Sequence, residues 1–112
     1  MRKIYFLSDH SGVTAETIGH SLITQFDIKG FRQETLPFID TKDKAKNVVC
    51  KINQDFAESA ISPIIFGTLV REDLRLLLKA SHGLYLDIFD VFLKSIEKEL
   101  KQKSTQKVGQ AH

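Results

Sequence analysis

Arg2-Lys3-Ile4-Tyr5-Phe6-Leu7-Ser8-Asp9-His10-Ser11-Gly12-Val13-Thr14-Ala15-Glu16 is the stretch whose reading decides the fold. Its first half is apolar and suited to a pleated, buried surface, so it reads as a strand. Its second half is a run of hydroxyls with one carboxylate, one imidazole and a glycine, and a helical pattern follows directly. A strand that stops at small polar residues and turns into a helix leaves backbone N–H groups unpaired at that helix's start. With the positive end of the helix dipole, those groups suit an anion. Open α/β sheets place ligands at such junctions, outside the carboxyl ends of the strands.

Outward from this stretch the chain alternates regularly. Ala15, Ile18, Leu22 and Phe26 recur at helical spacing with Ile23 beside them, which predicts an amphipathic helix over Val13 to Gln25, ended by Lys29-Gly30. Phe31 to Ile39 reads as an outer strand, polar at its start and broken by Pro37. Asp40 or Thr41 caps a second helix with Ala45, Val48, Val49, Ile52 and Phe56 as its buried stripe. Ile64 to Leu69 is apolar on both faces and therefore central. Arg71 to Ala80 is helical through Leu74, Leu77 and Leu78, and Leu84 to Ile88 is a short fourth strand. A last helix runs from Phe89 to about Lys101 through Phe92, Leu93, Ile96 and Leu100, with Glu97–Lys101 and Glu99–Lys103 at supporting spacing. Strands alternating with helices predict an α/β domain over residues 1–101: three layers, α/β/α, around a mostly parallel four-stranded sheet. Residues 102–112 carry no apolar stripe and no acid, and read as a linker or tail.

Composition narrows the class. Apolar residues make up 42% and charged residues 27%, as in an ordinary globular protein. A net charge of +2, with bases and acids interspersed, does not suggest a nucleic-acid partner. The apolar runs are too short to span a bilayer. A single cysteine, Cys50, excludes an internal disulfide and suits a reducing compartment, so the expected location is cytoplasmic. Cys50 itself reads as a half-buried small hydrophobe.

The candidate anion- or target-binding residues are Ser8, Asp9, Ser11, Gly12 and Thr14. The same residue types also serve as turn and N-cap residues, and both readings stay open here. A carboxylate repels phosphate unless a metal or proton intervenes, so Asp9 can hold a magnesium-bound phosphate, act as a base or cap the turn. His10 reads as an exposed loop histidine, since adjacent side chains point apart. His20 is a packing or surface residue, and His82 sits where an imidazolium favours a helix's negative end. Asp87 falls on the same sheet edge as Asp9; either Asp87 or Asp90 can cap the last helix. No His, Cys or acid cluster has metal-ligand spacing, so no metal site is expected. There is no G-x-G-x-x-G and no G-x-x-x-x-G-K-[ST].

The string from Phe6 to Glu16, with Gly19-His20-Ser21-Leu22, Gln25-Phe26 and Thr35-Leu36-Pro37-Phe38, resembles the N-terminal part of a bacterial kinase/pyrophosphorylase family. That family comprises the regulators of phosphoenolpyruvate synthase and of pyruvate, phosphate dikinase; Gly19-His20-Ser21-Leu22 and Thr35-Leu36-Pro37-Phe38 favour the synthase branch. The resemblance implies reversible threonine phosphorylation of a target enzyme, with ADP as donor and phosphate-dependent removal releasing pyrophosphate. It implies phosphoenolpyruvate synthase as partner, with pyruvate, phosphate dikinase as the alternative, and a homodimer. It also implies that ADP and phosphate bind in a C-terminal P-loop domain, so that no catalytic residue and no cofactor is expected within these residues. Val108-Gly109-Gln110-Ala111-His112 resembles the linker into that domain. His10 departs from the pattern, where relatives commonly carry a small residue. The alternative is a truncated, non-catalytic anion-binding or protein-interaction module.

Overall fold

The computed structural model describes residues 1–108; most of the stretch that resembles the family's linker, from residue 109 on, lies outside them. Eight elements alternate: β1 (Arg2–Leu7), α1 (Val13–Ile23), β2 (Phe31–Leu36), α2 (Lys42–Ser59), β3 (Ile64–Gly67), α3 (Glu72–Lys79), β4 (Leu84–Asp87) and α4 (Ile88–Leu100). The four strands form one sheet in the order β2-β1-β3-β4, and every pairing is parallel. The expected three-layer α/β/α architecture is the one observed. The register places Leu36, Leu7, Gly67 and Asp87 side by side, so the strands finish on one common edge.

Two cores flank the sheet. Tyr5, Leu7 and Ile65 point to one face, where Ala45 and Ile52 of α2 and Leu74 and Leu78 of α3 cover them. Ile4, Phe6 and Phe66 point to the other, against Ala15 and Ile23 of α1 and Ile88 of α4. Burial on both sides explains why β1 and β3 read as continuous apolar runs rather than alternating ones. β2 is an edge strand, as its polar start suggests. It stops at Leu36 rather than at Ile39, because Pro37 has no N–H to donate and Phe38 turns to φ 57°.

Several expected details differ. Helix α1 ends at Ile23 rather than Gln25 and is buried through Ala15, Gly19 and Ile23; Leu22 and Phe26 stand 48% and 69% exposed. Gly19 is the close approach, since a side chain there would collide with the Phe6 ring and come within 3.0 Å of Phe66. Cys50 is exposed on α2, not half-buried, because Ala45 and Ile52 define that helix's inner side. Helix α4 begins one residue early, at Ile88, and most of its stripe is exposed. It closes at Leu100 with Lys101 in the left-handed region, so Lys103 falls beyond it and the Glu99–Lys103 spacing loses its helical meaning. Glu97 instead accepts from the Ser104 N–H at 2.7 Å.

At an exposed helix position, replacing glycine by alanine stabilises by up to about 1 kcal/mol. Gly19→Ala should have the opposite sign, costing about 1–3 kcal/mol in chemical denaturation as the Phe6–Phe66 stack is forced apart. A neutral or stabilising result would refute this account of the α1 contact.

Candidate functional site

The order β2-β1-β3-β4 sends the chain from β1 to one side for β2 and to the other for β3. The point of reversal lies outside the carboxyl ends of β1 and β3, where open α/β sheets form their ligand crevice. The loop at that point is residues 8–12, the stretch singled out by the sequence.

This loop ties its neighbours together. Ile39 N–H donates to the Ser8 carbonyl and Phe38 N–H to the His10 carbonyl, each at 2.9 Å, which fixes the β2–α2 connection. On the other side, Thr68 N–H donates to the Leu7 carbonyl at 3.0 Å. The Asp9 carboxylate accepts from the Val70 N–H at 2.9 Å, joining the β3–α3 connection. Asp9 and His10 therefore point apart: Asp9 toward β3, and His10 onto the Phe38 ring at 5.7 Å. His10 is half-buried by that contact rather than exposed, and its Nδ1 is enclosed without a hydrogen-bond partner.

The candidate residues divide by position. Ser8 and Asp9 are buried, and the Ser8 hydroxyl accepts from the His10 N–H at 3.0 Å. Ser11 and Thr14 are half-buried on the rim, where the Ser11 hydroxyl lies 3.5 Å from the Val13 N–H. Gly12 is the N-cap of α1, with φ 92° and no side chain to cap the helix. A β-carbon there would lie 2.8 Å from the Thr35 methyl, so only glycine fits both the backbone angle and the space.

Two features of this edge carried no clear sequence signal. Phe38 holds a left-handed backbone that bulky residues rarely adopt, yet its ring is 51% exposed. With Pro37, Lys44 and Asn47 it lines a shallow pocket of about 280 Å³ beside the loop. The second feature is an ion-pair cluster at the end of β4. Arg75 of α3 reaches Asp87 at 3.3 Å and Asp90 at 3.1 Å, and Lys79 lies 3.9 Å from Asp87. Asp87 caps α4 by accepting from the Asp90 N–H at 3.1 Å, one of the two caps the sequence allowed. Only the spacing of Arg75 on α3, one strand away from Asp87, could have hinted at the pairing.

Burial dominates the electrostatics. It pushes the Asp9 carboxyl above the ordinary carboxylate range, and the Val70 N–H offsets only part of the shift. It also pushes Asp87 up, against the Asp90 N–H and the Arg75 charge. The Tyr85 phenol, enclosed against Gly67 with no hydrogen-bond partner, is raised by burial and then by Asp87. Among the described residues no three His, Cys, Asp or Glu side chains gather where they could hold a metal ion. No helix of the described residues is long and apolar enough to cross a membrane. This edge thus offers a glycine-opened helix start, rim hydroxyls and an exposed aromatic, while its carboxylates are engaged in holding loops together.

Residues 4–112 match the family model described as kinase/pyrophosphorylase. A phosphoenolpyruvate synthase regulatory protein of Janthinobacterium sp. strain Marseille is 47% identical over 111 residues, which cover 99% of this chain and 39% of the relative. Proteins of the same name from Bordetella pertussis and Legionella pneumophila are 44% and 43% identical, with 40% and 41% of their lengths covered. The chain belongs to the kinase/pyrophosphorylase family. It spans about two-fifths of the length of these curated relatives and corresponds to their N-terminal part.

Two outcomes follow from the electrostatics. Arg75→Met should cost about 3–5 kcal/mol in urea denaturation, because Asp87, with its side chain 5% exposed, loses its nearest counter-ion. Adding Asp87→Asn should recover most of that loss; no recovery would remove the charge explanation. The second outcome concerns pH. The folded chain binds the Asp9 proton more tightly than the unfolded chain, whose carboxyl titrates near 3.8. The associated stability is fully present below that value and is lost as pH rises through the raised folded one. Asp9→Asn should therefore lose less thermal midpoint than the parent between about pH 4 and 7, and equal slopes would contradict the assignment.

Proposed function

We propose that this chain is the N-terminal part of a bifunctional ADP-dependent serine/threonine kinase and phosphate-dependent pyrophosphorylase that regulates phosphoenolpyruvate synthase. The observation that carries the reading is the match over residues 4–112, with relatives named as regulators of that enzyme. The role of these residues is recognition. The rim formed by half-buried Ser11 and Thr14, at the helix start that buried Gly12 opens, receives an anion, and Phe38 with its adjoining pocket receives part of the target protein's surface. Ser8 and Asp9 support the rim from beneath by fixing the loop.

Phosphoryl transfer needs charge neutralisation and in-line positioning, which P-loop proteins supply from a glycine-rich turn followed by lysine. The 112 residues contain no such motif. ADP therefore binds to a part of the relatives beyond the matched region, and the reaction runs in a cytoplasmic enzyme, as a homodimer.

Calorimetry on this chain should accordingly show no saturable ADP binding, and incubation with ADP and phosphoenolpyruvate synthase should leave the synthase unphosphorylated. Either activity in the chain alone would overturn the division of labour. In a direct binding assay against the synthase, Thr14→Ala with Phe38→Ala should weaken association about tenfold, equivalent to about 1.4 kcal/mol. Ser8→Ala should instead lower stability by about 1 kcal/mol, since the His10 N–H loses its acceptor. Unchanged association for the rim variant would remove the recognition role.

A further inference from the structure

The helices use their apolar stripes unequally. Within α4, Ile88 is buried and Phe89 packs against the second core, but Val91, Phe92, Ile96 and Leu100 stand 65%, 65%, 50% and 60% exposed. Spaced four apart, Phe92, Ile96 and Leu100 continue the line begun by buried Ile88 along one side of the helix. Each four-residue step also turns the line by about 40° around the helix, so Phe92, Ile96 and Leu100 rotate out of the core that holds Ile88. β4 has four residues, roughly 13 Å of strand. α4 has thirteen, roughly 20 Å of helix, so only its end, at Leu100, outruns the strand that precedes it.

We infer that the Phe92–Ile96–Leu100 line is the docking face for the polypeptide that follows the matched region in the full-length relatives, folded back onto α4 within one chain. Three observations select this occupant. The matched region covers only 39–41% of those relatives, so most of their chain lies beyond it. Helix α4 is the last element before that continuation, with only the irregular stretch from Gln102 to Val108 described after it. The face is also small. Three side chains at this exposure present on the order of 300 Å². Each partner of a stable dimer buries about 800 Å². A tethered segment, whose effective concentration reaches the millimolar range, is held by a smaller face than a free second copy needs.

Hydrogen exchange of residues 92–100 tests this, comparing the 112-residue chain with a chimera that joins it to the remaining sequence of the Janthinobacterium relative. These amides should exchange about tenfold or more slowly in the chimera, and Ile96→Glu should restore fast exchange there while β1 stays protected. Equal exchange in both proteins would overturn the proposal. So would protection that rises with the concentration of the 112-residue chain alone, which would make a second copy the occupant. If the chimera does not fold, the helix aligned with α4 in the full-length relative decides: slow exchange supports intrachain docking, and fast exchange overturns it.

Discussion

The burial of one six-residue run, Ile4 to Asp9, sets the rest of this structure. None of these residues is more than 6% exposed. A strand covered on both faces and paired on both edges must be apolar throughout and must find helices for each side. The chain meets that demand by sending α1 and α4 to one face and α2 and α3 to the other. The amino end of β1 is pinned as well, by hydrogen bonds from Lys3 and Tyr5 to Asp55 of α2. Little is left for β1 to do except stay in place.

Because β1 stands between β2 and β3, the loop that leaves it meets both neighbouring connections. The same geometry that creates the crevice at the reversal of strand order also supplies its walls. Loop residues turned inward, Ser8 and Asp9, join walls, and Gly12 is buried at the start of α1, while Ser11 and Thr14 stand half-buried at the rim. The left-handed backbone of Phe38 belongs to this arrangement. Its N–H reaches the His10 carbonyl and its ring meets the His10 ring, contacts that hold an otherwise unfavourable conformation.

Most of the fold was legible in the sequence because its strong signals are local. Ile64-Ile65-Phe66 reads as a doubly covered strand, Thr41 caps α2 through the Lys44 N–H, and Pro37 keeps β2 at the edge. The misread helical stripes share one cause: periodicity gives the repeat of apolar residues but not which side of the helix meets the sheet. Leu22 on α1, one residue before buried Ile23, and Phe92, Ile96 and Leu100 on α4 fit the pattern but turn away from the core, and Phe26 lies past the end of α1. Periodicity also counted large residues and passed over Gly19, where the absence of a side chain makes the contact. Within the candidate site, the loop was legible but the assignment of each polar residue to wall or rim was not. That assignment depends on β2–α2 and β3–α3 contacts tens of residues away in sequence, as does the pairing of Arg75 with Asp87.

The division between wall and rim bears on where chemistry can occur. A catalytic carboxylate must be free to take or give a proton at a reacting atom, and a phosphate site must present unspent positive charge. At this edge Asp9 is committed to the Val70 N–H, Asp87 to the start of α4 and to Arg75, and Arg75 to Asp87 and Asp90. Each of these charged groups is spent on holding one element to the next, while the His10 Nδ1 is enclosed without a hydrogen-bond partner. On the proposed reading, the exposed Phe38 ring and the loop backbone serve to recognise a partner rather than to transfer a group to it.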